Sequence, residues 1–380
     1  MRNKILFLKR TAWTFCTAAF SIAIHGQNTA QIMEVPFTQV RIQDAFWSPR
    51  IETNRTVSIP SAFRECEKNG RFDNFAIAGG LKEGEHRGDF SFDDTDPYKI
   101  IEGASYSLAV KYDARLDAYL DSVIALIAAA QESDGYLTTC VTNRCTRLSG
   151  WWGTHRWEKI NSHELYNSGH LYEAAVAHYR ATGKRSLLDV AIKNADLVCR
   201  VFGLEEGKCK GYPGHQEIEV ALVKLYQATG NRSYLTLADY FIRQRGQEPN
   251  YLMEEYKSRQ GRNLFPEFRE YDDKYAQVHA PVLKQETAEG HAVRAVYMYS
   301  AMADLARVER DEEMAAACQR LYENIVKKRM YITGGIGSSG TLERFTADYD
   351  LPNDRMYCES CASVGLMMFA QRMASLTGEA

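Results

Sequence analysis

Tyr179-Arg-Ala-Thr-Gly-Lys-Arg-Ser186 recurs 47 positions later as Tyr226-Gln-Ala-Thr-Gly-Asn-Arg-Ser233, and Ala374-Ser-Leu-Thr-Gly378 repeats the same ending a third time. Each copy closes an apolar run with three- and four-residue spacing, as in Leu171, Ala174, Ala175 and His178, so each reads as the end of an amphipathic helix. Gly183, Gly230 and Gly378 sit where a helix takes a left-handed C-terminal residue, and Ser186 and Ser233 stand where the next helix can be capped. A repeat of this period is the signature of stacked helical hairpins. Such hairpins form either an open solenoid or a closed ring of inner and outer helices, an α/α barrel.

Working outward from the repeat, the same periodicity predicts helices over 56–69, 98–111, 115–131, 164–182, 185–201, 215–229, 231–245, 289–307, 311–328 and 359–377. Four of them begin with polar groups: His163-Glu, His215-Gln-Glu, Gly290-His291 and Glu359-Ser-Cys361. In a closed ring those ends converge on one mouth, whereas in a solenoid they spread along a ridge, so the polar starts favour an all-α barrel with a polar pocket. Val35 to Arg50 alternates in part and reads as a short N-terminal strand followed by a turn at Ser48-Pro49. Three long connections, Gly80–Pro97, Thr139–Asn161 and Glu248–Gln277, have the length of functional loops. In the second, Trp151, Trp152 and Trp157 can either stack on a sugar or plug the loop onto the barrel.

The chain has 380 residues, 45% apolar and 25% charged, with a net charge of −3. That is a globular composition with a sizeable core. No basic run interleaved with aromatics exists, which excludes a phosphate-tracking nucleic-acid surface. Arg2, Lys4, Lys9 and Arg10 precede an apolar Thr11–Ile24, so residues 1–26 read as a signal peptide and the protein as exported, periplasmic or extracellular. No segment is long enough for a membrane span. Beyond the signal, eight cysteines remain at irregular spacing, with Cys358-x-x-Cys361 the only tight pair: a disulfide, a redox pair or half a metal site.

The chemistry concentrates in Thr333–Ser363, TGGIGSSGTLERFTADYDLPNDRMYCESCAS. Four glycines are followed by Glu343, Asp348, Asp350 and Asp354, and then by Glu359-Ser-Cys361 at a helix start. Loops of this kind carry function on a fixed scaffold. A Glu and a Cys two residues apart can share one Zn²⁺; the plain alternative is a solvated acidic loop with an ordinary cysteine.

HELYNSGHLYEAAVAHYRATGKRSLLDVA, GYPGHQEIEVALVKLY, EGHAVRAVYMYSAMADLA and TGGIGSSGTLERFTADYDLPND…ESCAS resemble glycoside hydrolase family 127, the β-L-arabinofuranosidases, and the related family 146. The resemblance runs from about Phe37 to the C-terminus. It implies an (α/α)6 barrel followed by β-sandwich domains, and a retaining hydrolase of arabinose-containing oligosaccharides or plant cell-wall glycans. It implies Glu343 as general acid/base, Glu359 and Cys361 as zinc ligands, and His163, His215 and His291 lining the sugar subsite. In the family a Cys-x-Cys-Cys-Pro-Pro-like stretch further on supplies the nucleophile and the remaining ligand. No such stretch precedes Ala380, and ten helices stand where a closed barrel needs twelve. The expectation is therefore an N-terminal portion: residues 35–380 as a barrel domain cut before its last hairpin and the β-sandwiches. Two other readings compete: another α/α-barrel carbohydrate enzyme, a polysaccharide lyase or sugar epimerase that needs no Glu359/Cys361 pair, and an inactive sugar-binding fragment.

Overall fold

The computed structural model describes residues 32, 34–148, 155–158, 162–258 and 272–378; the expected signal peptide, Trp151 and Trp152 lie outside them. The principal helices are α1 (Trp47–Thr53), α2 (Ile59–Lys68), α3 (Arg71–Ala78), α4 (Thr95–Val110), α5 (Ala114–Ala130), α6 (Glu164–Thr182), α7 (Ser186–Val201), α8 (Ile218–Thr229), α9 (Arg232–Gln244), α10 (Ala292–Glu309), α11 (Glu312–Asn324) and α12 (Ser360–Thr377). Helices α4, α6, α8, α10 and α12 pack side by side in that order, and α3, α5, α7, α9 and α11 lie outside them. This is the arrangement of an (α/α)6 barrel.

Burial separates the two layers. Fourteen of the nineteen residues of α6 and fourteen of the eighteen of α10 are buried, so these helices are enclosed on every side. Outer α9 buries Tyr234, Leu235, Leu237, Ala238, Phe241 and Ile242 and leaves Arg232 and Thr236 in water, a single apolar stripe. Inner helices approach closely where side chains vanish: a Cβ on Gly169 of α6 would meet the Glu217 side chain at 2.7 Å and the Ile218 nitrogen at 2.8 Å, just before α8. Among the described residues no helix is long and apolar enough to cross a membrane.

The repeat endings behave alike. Gly183, Gly230 and Gly378 are left-handed (φ 77°, 77° and 76°), and their N–H groups close on Tyr179, Tyr226 and Ala374 carbonyls at 2.8, 2.7 and 2.9 Å. The expected serine caps are not used. Asn231 accepts from the Ser233 N–H at 3.1 Å and caps α9, while α7 has no side-chain cap.

The expected N-terminal strand is not formed: Phe37–Gln39 is a 3₁₀ turn and α1 starts at Trp47. Among the described residues no strand offers a ladder to Val35–Arg50. Asp44 instead accepts from the backbone N–H of Phe46 (2.8 Å) and Trp47, while Ser48 Oγ accepts from Asp44 N–H at 3.0 Å, a reciprocal cap. Pro49 falls in the first turn, where its missing N–H costs nothing. Helix α3 follows left-handed Gly70 and lies between the helix expected over 56–69 and the Gly80–Pro97 connection, where the sequence predicts none.

Two features of the packing position the mouth. Arg245 is fully buried: its guanidinium donates to Ala276 O (2.8 Å) and Pro213 O, lies 3.7 Å from the equally buried Glu219 and stacks over Tyr212. The segment Gly211–Glu217 is thereby tied down before α8. The loop after α11 is held by Asp348, which accepts from Arg329 (2.8 Å), Lys328 (3.0 Å) and Asn324 (3.0 Å). Burial alone would raise the Asp348 carboxyl, but these donors outweigh it and hold it at about 2.

Arg245→Leu strands the Glu219 charge and is expected to cost about 3–5 kcal/mol in chemical denaturation, with Arg245→Leu/Glu219→Gln losing less. For Asp348 the folded pKa lies below the unfolded value of about 3.9, so its stabilisation is present above that pH and is lost as pH falls through about 2. Asp348→Asn should therefore lower the thermal midpoint at pH 6, and the gap to wild type should close towards pH 2.

Candidate active site

The N-terminal ends of α6, α8, α10 and α12 carry His163, His215, His291, Glu359 and Cys361. His291 is the N-cap of α10: its Nδ1 accepts from the Arg294 N–H at 3.5 Å, which leaves the hydrogen on Nε2. Nε2 then donates to Glu343 Oε2 at 2.8 Å. Glu343 is placed there because its loop runs beside Gly290-His291, with Phe345 N–H on Gly290 O at 2.9 Å and Arg344 paired to Asp272 at 2.6 Å. Leu342 and Glu343 both take positive φ (61° and 51°), a local strain of the kind that surrounding structure must hold in place. Tyr357 OH donates to the other carboxylate oxygen at 2.9 Å, and the Glu343 side chain stays 41% exposed, open to a ligand.

His163 precedes α6 in the left-handed conformation (φ 75°). Its neighbour Glu164 is buried and accepts from Tyr136 OH, Trp157 N–H (3.0 Å) and Ser162 Oγ (3.1 Å). His215 lies three residues before α8, and its Nδ1–H donates to Gln216 O at 2.7 Å, leaving the Nε2 lone pair free to accept. Arg294, one turn into α10, donates to Gly214 O and thus fixes the backbone beside His215.

The three imidazoles form one row. Ring centroids are 5.6 Å apart for His163–His215 and 5.5 Å for His215–His291. Phe92, Tyr166 and Tyr275 close the row, at 4.9 Å from His163, 4.5 Å from His215 and 5.6 Å from His291. Burial, then Arg294, His291 and His163, pushes His215 well below the usual imidazole range. Burial likewise lowers His291, opposed by its bond to Glu343. Both rings are neutral near pH 7, hydrogen-bonding groups rather than charges. The His291 hydrogen bond holds Glu343 below the ordinary carboxylate value, with burial opposing.

At the start of α12, Cys361 Sγ lies 3.2 Å from Glu359 Oε2. Zn–S of about 2.3 Å and Zn–O of about 2.0–2.2 Å put tetrahedral ligands about 3.5 Å apart, so this pair fits one ion with little adjustment. Glu359 Oε1 is buried with no hydrogen-bond partner, an orphaned donor atom that a cation satisfies. One ligand atom each from His291, Glu343 and Glu359 lies within 4.8 Å of the others, which joins the carboxylate pair to the histidine row. Cys358 does not join them: its sulfur packs against Gly335. A second acidic group, Asp117, Asp121 and His178, has Lys184 Nζ 2.7 Å from both carboxylates and so already holds a cation.

All six residues singled out from the sequence, His163, His215, His291, Glu343, Glu359 and Cys361, thus stand at one end of the barrel. Trp157 reaches the same end through its backbone N–H on Glu164, but its indole packs edge-on between Tyr136 and Phe202, a plug rather than a member of the histidine row. Tyr166, Arg294 and Tyr357 were missed. Tyr166 had a usable signal, one helical turn after His163 on the same face; Tyr357 lies fourteen residues from Glu343 across an irregular loop and had none.

The family of β-L-arabinofuranosidase GH127 catalytic domains matches residues 39–380. A curated non-reducing end β-L-arabinofuranosidase of Bifidobacterium longum subsp. longum is 46% identical over 305 residues, 80% of this chain and 46% of that protein. A crystal structure of a GH127 β-L-arabinofuranosidase from Geobacillus stearothermophilus T6 superposes with a TM-score of 0.83 at 45% identity, covering 89% of this chain and 53% of the other. A solved GH127 β-arabinofuranosidase gives 0.81 at 47% identity, covering 90% and 51%. The chain spans about half the length of these relatives. With the family matched over almost all of its described barrel, the chain belongs to the GH127 β-L-arabinofuranosidase catalytic-domain family.

Proposed function

We propose that this chain carries the acid/base, the sugar subsite and two zinc ligands of a retaining hydrolase that releases L-arabinofuranose from β-linked arabino-oligosaccharides or plant glycans. The observation that carries this reading is the His291–Glu343 pair standing beside Glu359 and Cys361 at the end of the His163–His215–His291 row. Neutral imidazoles donate to or accept from furanose hydroxyls without a charge to desolvate. His215 offers the Nε2 lone pair and His291 its Nε2–H, so the row supplies both an acceptor and a donor.

Glu343 protonates the leaving oxygen and then takes a proton from the incoming water. In the resting pocket the His291 hydrogen bond favours its ionised form. A sugar that inserts between the two removes that bond, and the carboxyl rises towards the acid form when the leaving group arrives. Zinc, when bound at Glu359 and Cys361, supplies the charge that keeps a cysteine thiolate nucleophilic near neutral pH. The resemblance puts the nucleophilic cysteine and a further ligand in a stretch outside these 380 residues, and two ligands alone hold zinc weakly. The basic and apolar segments of residues 1–26 support export, which N-terminal sequencing of protein from a secreting host tests; an intact Met1 on cytosolic protein contradicts it.

Expressed alone, the 380-residue chain should show no appreciable turnover of an aryl β-L-arabinofuranoside, whereas a polypeptide extended to the length of the relatives should turn it over. Within that longer protein, Glu343→Gln should reduce kcat by about 10²–10⁴-fold. Robust turnover by the short chain, or an unimpaired Glu343→Gln enzyme, would overturn the assignment. His215→Ala should weaken L-arabinose binding, measured by titration calorimetry on the longer protein, with the thermal midpoint checked to exclude unfolding.

A further inference from the structure

Thr139–Thr142 is a single helical turn whose exit has a defined geometry. Arg144 is left-handed (φ 51°), Cys145 N–H bonds to Cys140 O at 2.9 Å, and Arg144 N–H bonds to Val141 O at 3.0 Å. Those are the paired six-to-one and five-to-two bonds of a Schellman ending, in which the two outer side chains meet. Here the outer residues are both cysteines. Cys140 and Cys145 share a small apolar cluster with Leu148 and Val141, apart from the main core. With the 2.9 Å bond between their backbones, standard bond lengths place the two Cα atoms at most about 6.8 Å apart. A disulfide spans about 4.4–6.8 Å between Cα atoms, so the pair can close without moving the turn.

We propose that Cys140 and Cys145 form a disulfide when the protein meets a disulfide oxidant, making this turn a covalent modification site independent of the zinc pair. The half-buried Cys145 thiolate attacks one sulfur of the donor disulfide, forming a mixed disulfide and releasing one donor thiolate. Cys140 is 1% exposed and resolves it: its sulfur, deprotonated, attacks the Cys145 sulfur and expels the second donor thiolate. Two protein thiols are oxidised, one donor disulfide is reduced to two thiols, and both protons end on those products or in solvent.

The position gives the bond a consequence. Cys140 S–H reaches Ser91 O at 3.9 Å, a carbonyl that also accepts from Asn167 of α6 at 2.9 Å, while Ser91 Oγ donates to Ser162 O at 2.6 Å, next to His163. The turn therefore anchors the start of the connection whose end positions the first histidine of the row.

The test uses the full chain, folded, equilibrated with oxidised and reduced glutathione, quenched in acid, denatured in the presence of excess alkylating reagent and then digested with trypsin. Cleavage after Arg144 and Arg147 frees Cys145-Thr146-Arg147 from the peptide bearing Cys140, so the two stay together only through a disulfide. The expected result is the linked pair at high oxidised glutathione, lost on reduction and absent in Cys145→Ser. Both cysteines alkylated at every ratio, or Cys145 carrying glutathione beside an alkylated Cys140, would overturn the proposal.

Discussion

Close packing of the inner helices places several helix N-termini at one mouth, and the site depends on that constraint. His163, Glu217, His291 and Glu359 occupy the N-cap positions of α6, α8, α10 and α12. Each helix start carries unpaired N–H groups and roughly half a positive charge. Together these ends make a mouth that favours carboxylates and thiolates. At that mouth Glu343 is held ionised by its His291 hydrogen bond, whereas burial pushes Glu359 and Cys361 up, an opposing effect that a bound cation would offset.

Converging helix starts leave irregular backbone between them, and buried backbone must find partners. The chain meets this with buried guanidiniums. Arg245 and Arg294 take the carbonyls of Pro213 and Gly214, and Gln216 is bonded to Gln277 at 2.7 Å. His215 is therefore aimed by groups just after α9, on α10 and in the loop before α10, not by its own helix. Asp348 does the same for the acid/base loop, drawing on Arg329, Lys328 and Asn324. Rigidity of this kind is what a site needs when its side chains sit on loops.

Much of this was legible in the sequence because helix endings and apolar periodicity are local properties. Gly183, Gly230 and Gly378 announced the hairpins, and the aligned polar starts announced the mouth. The strand expected over Val35–Arg50 failed because a strand needs a partner, while Asp44 and Ser48 supplied a local helix cap instead. The caps at Ser186 and Ser233 failed because both serines lie inside their helices, α9 starting at Arg232 after the Asn231 cap and α7 starting at Ser186 itself. Tyr357 on Glu343 and Arg294 on Gly214 were hidden, because contacts across loops of irregular φ have no period to read.

The central claim is that the histidine row, the acid/base and a zinc site form one pocket. Crystals of the protein extended to the length of its relatives, soaked in zinc and measured at the zinc absorption edge, test it most directly. The account predicts an anomalous peak about 2.0–2.3 Å from both the Glu359 carboxylate and Cys361 Sγ, beside Glu343. A peak at Asp117, Asp121 and His178 with none at Glu359 and Cys361 would contradict it.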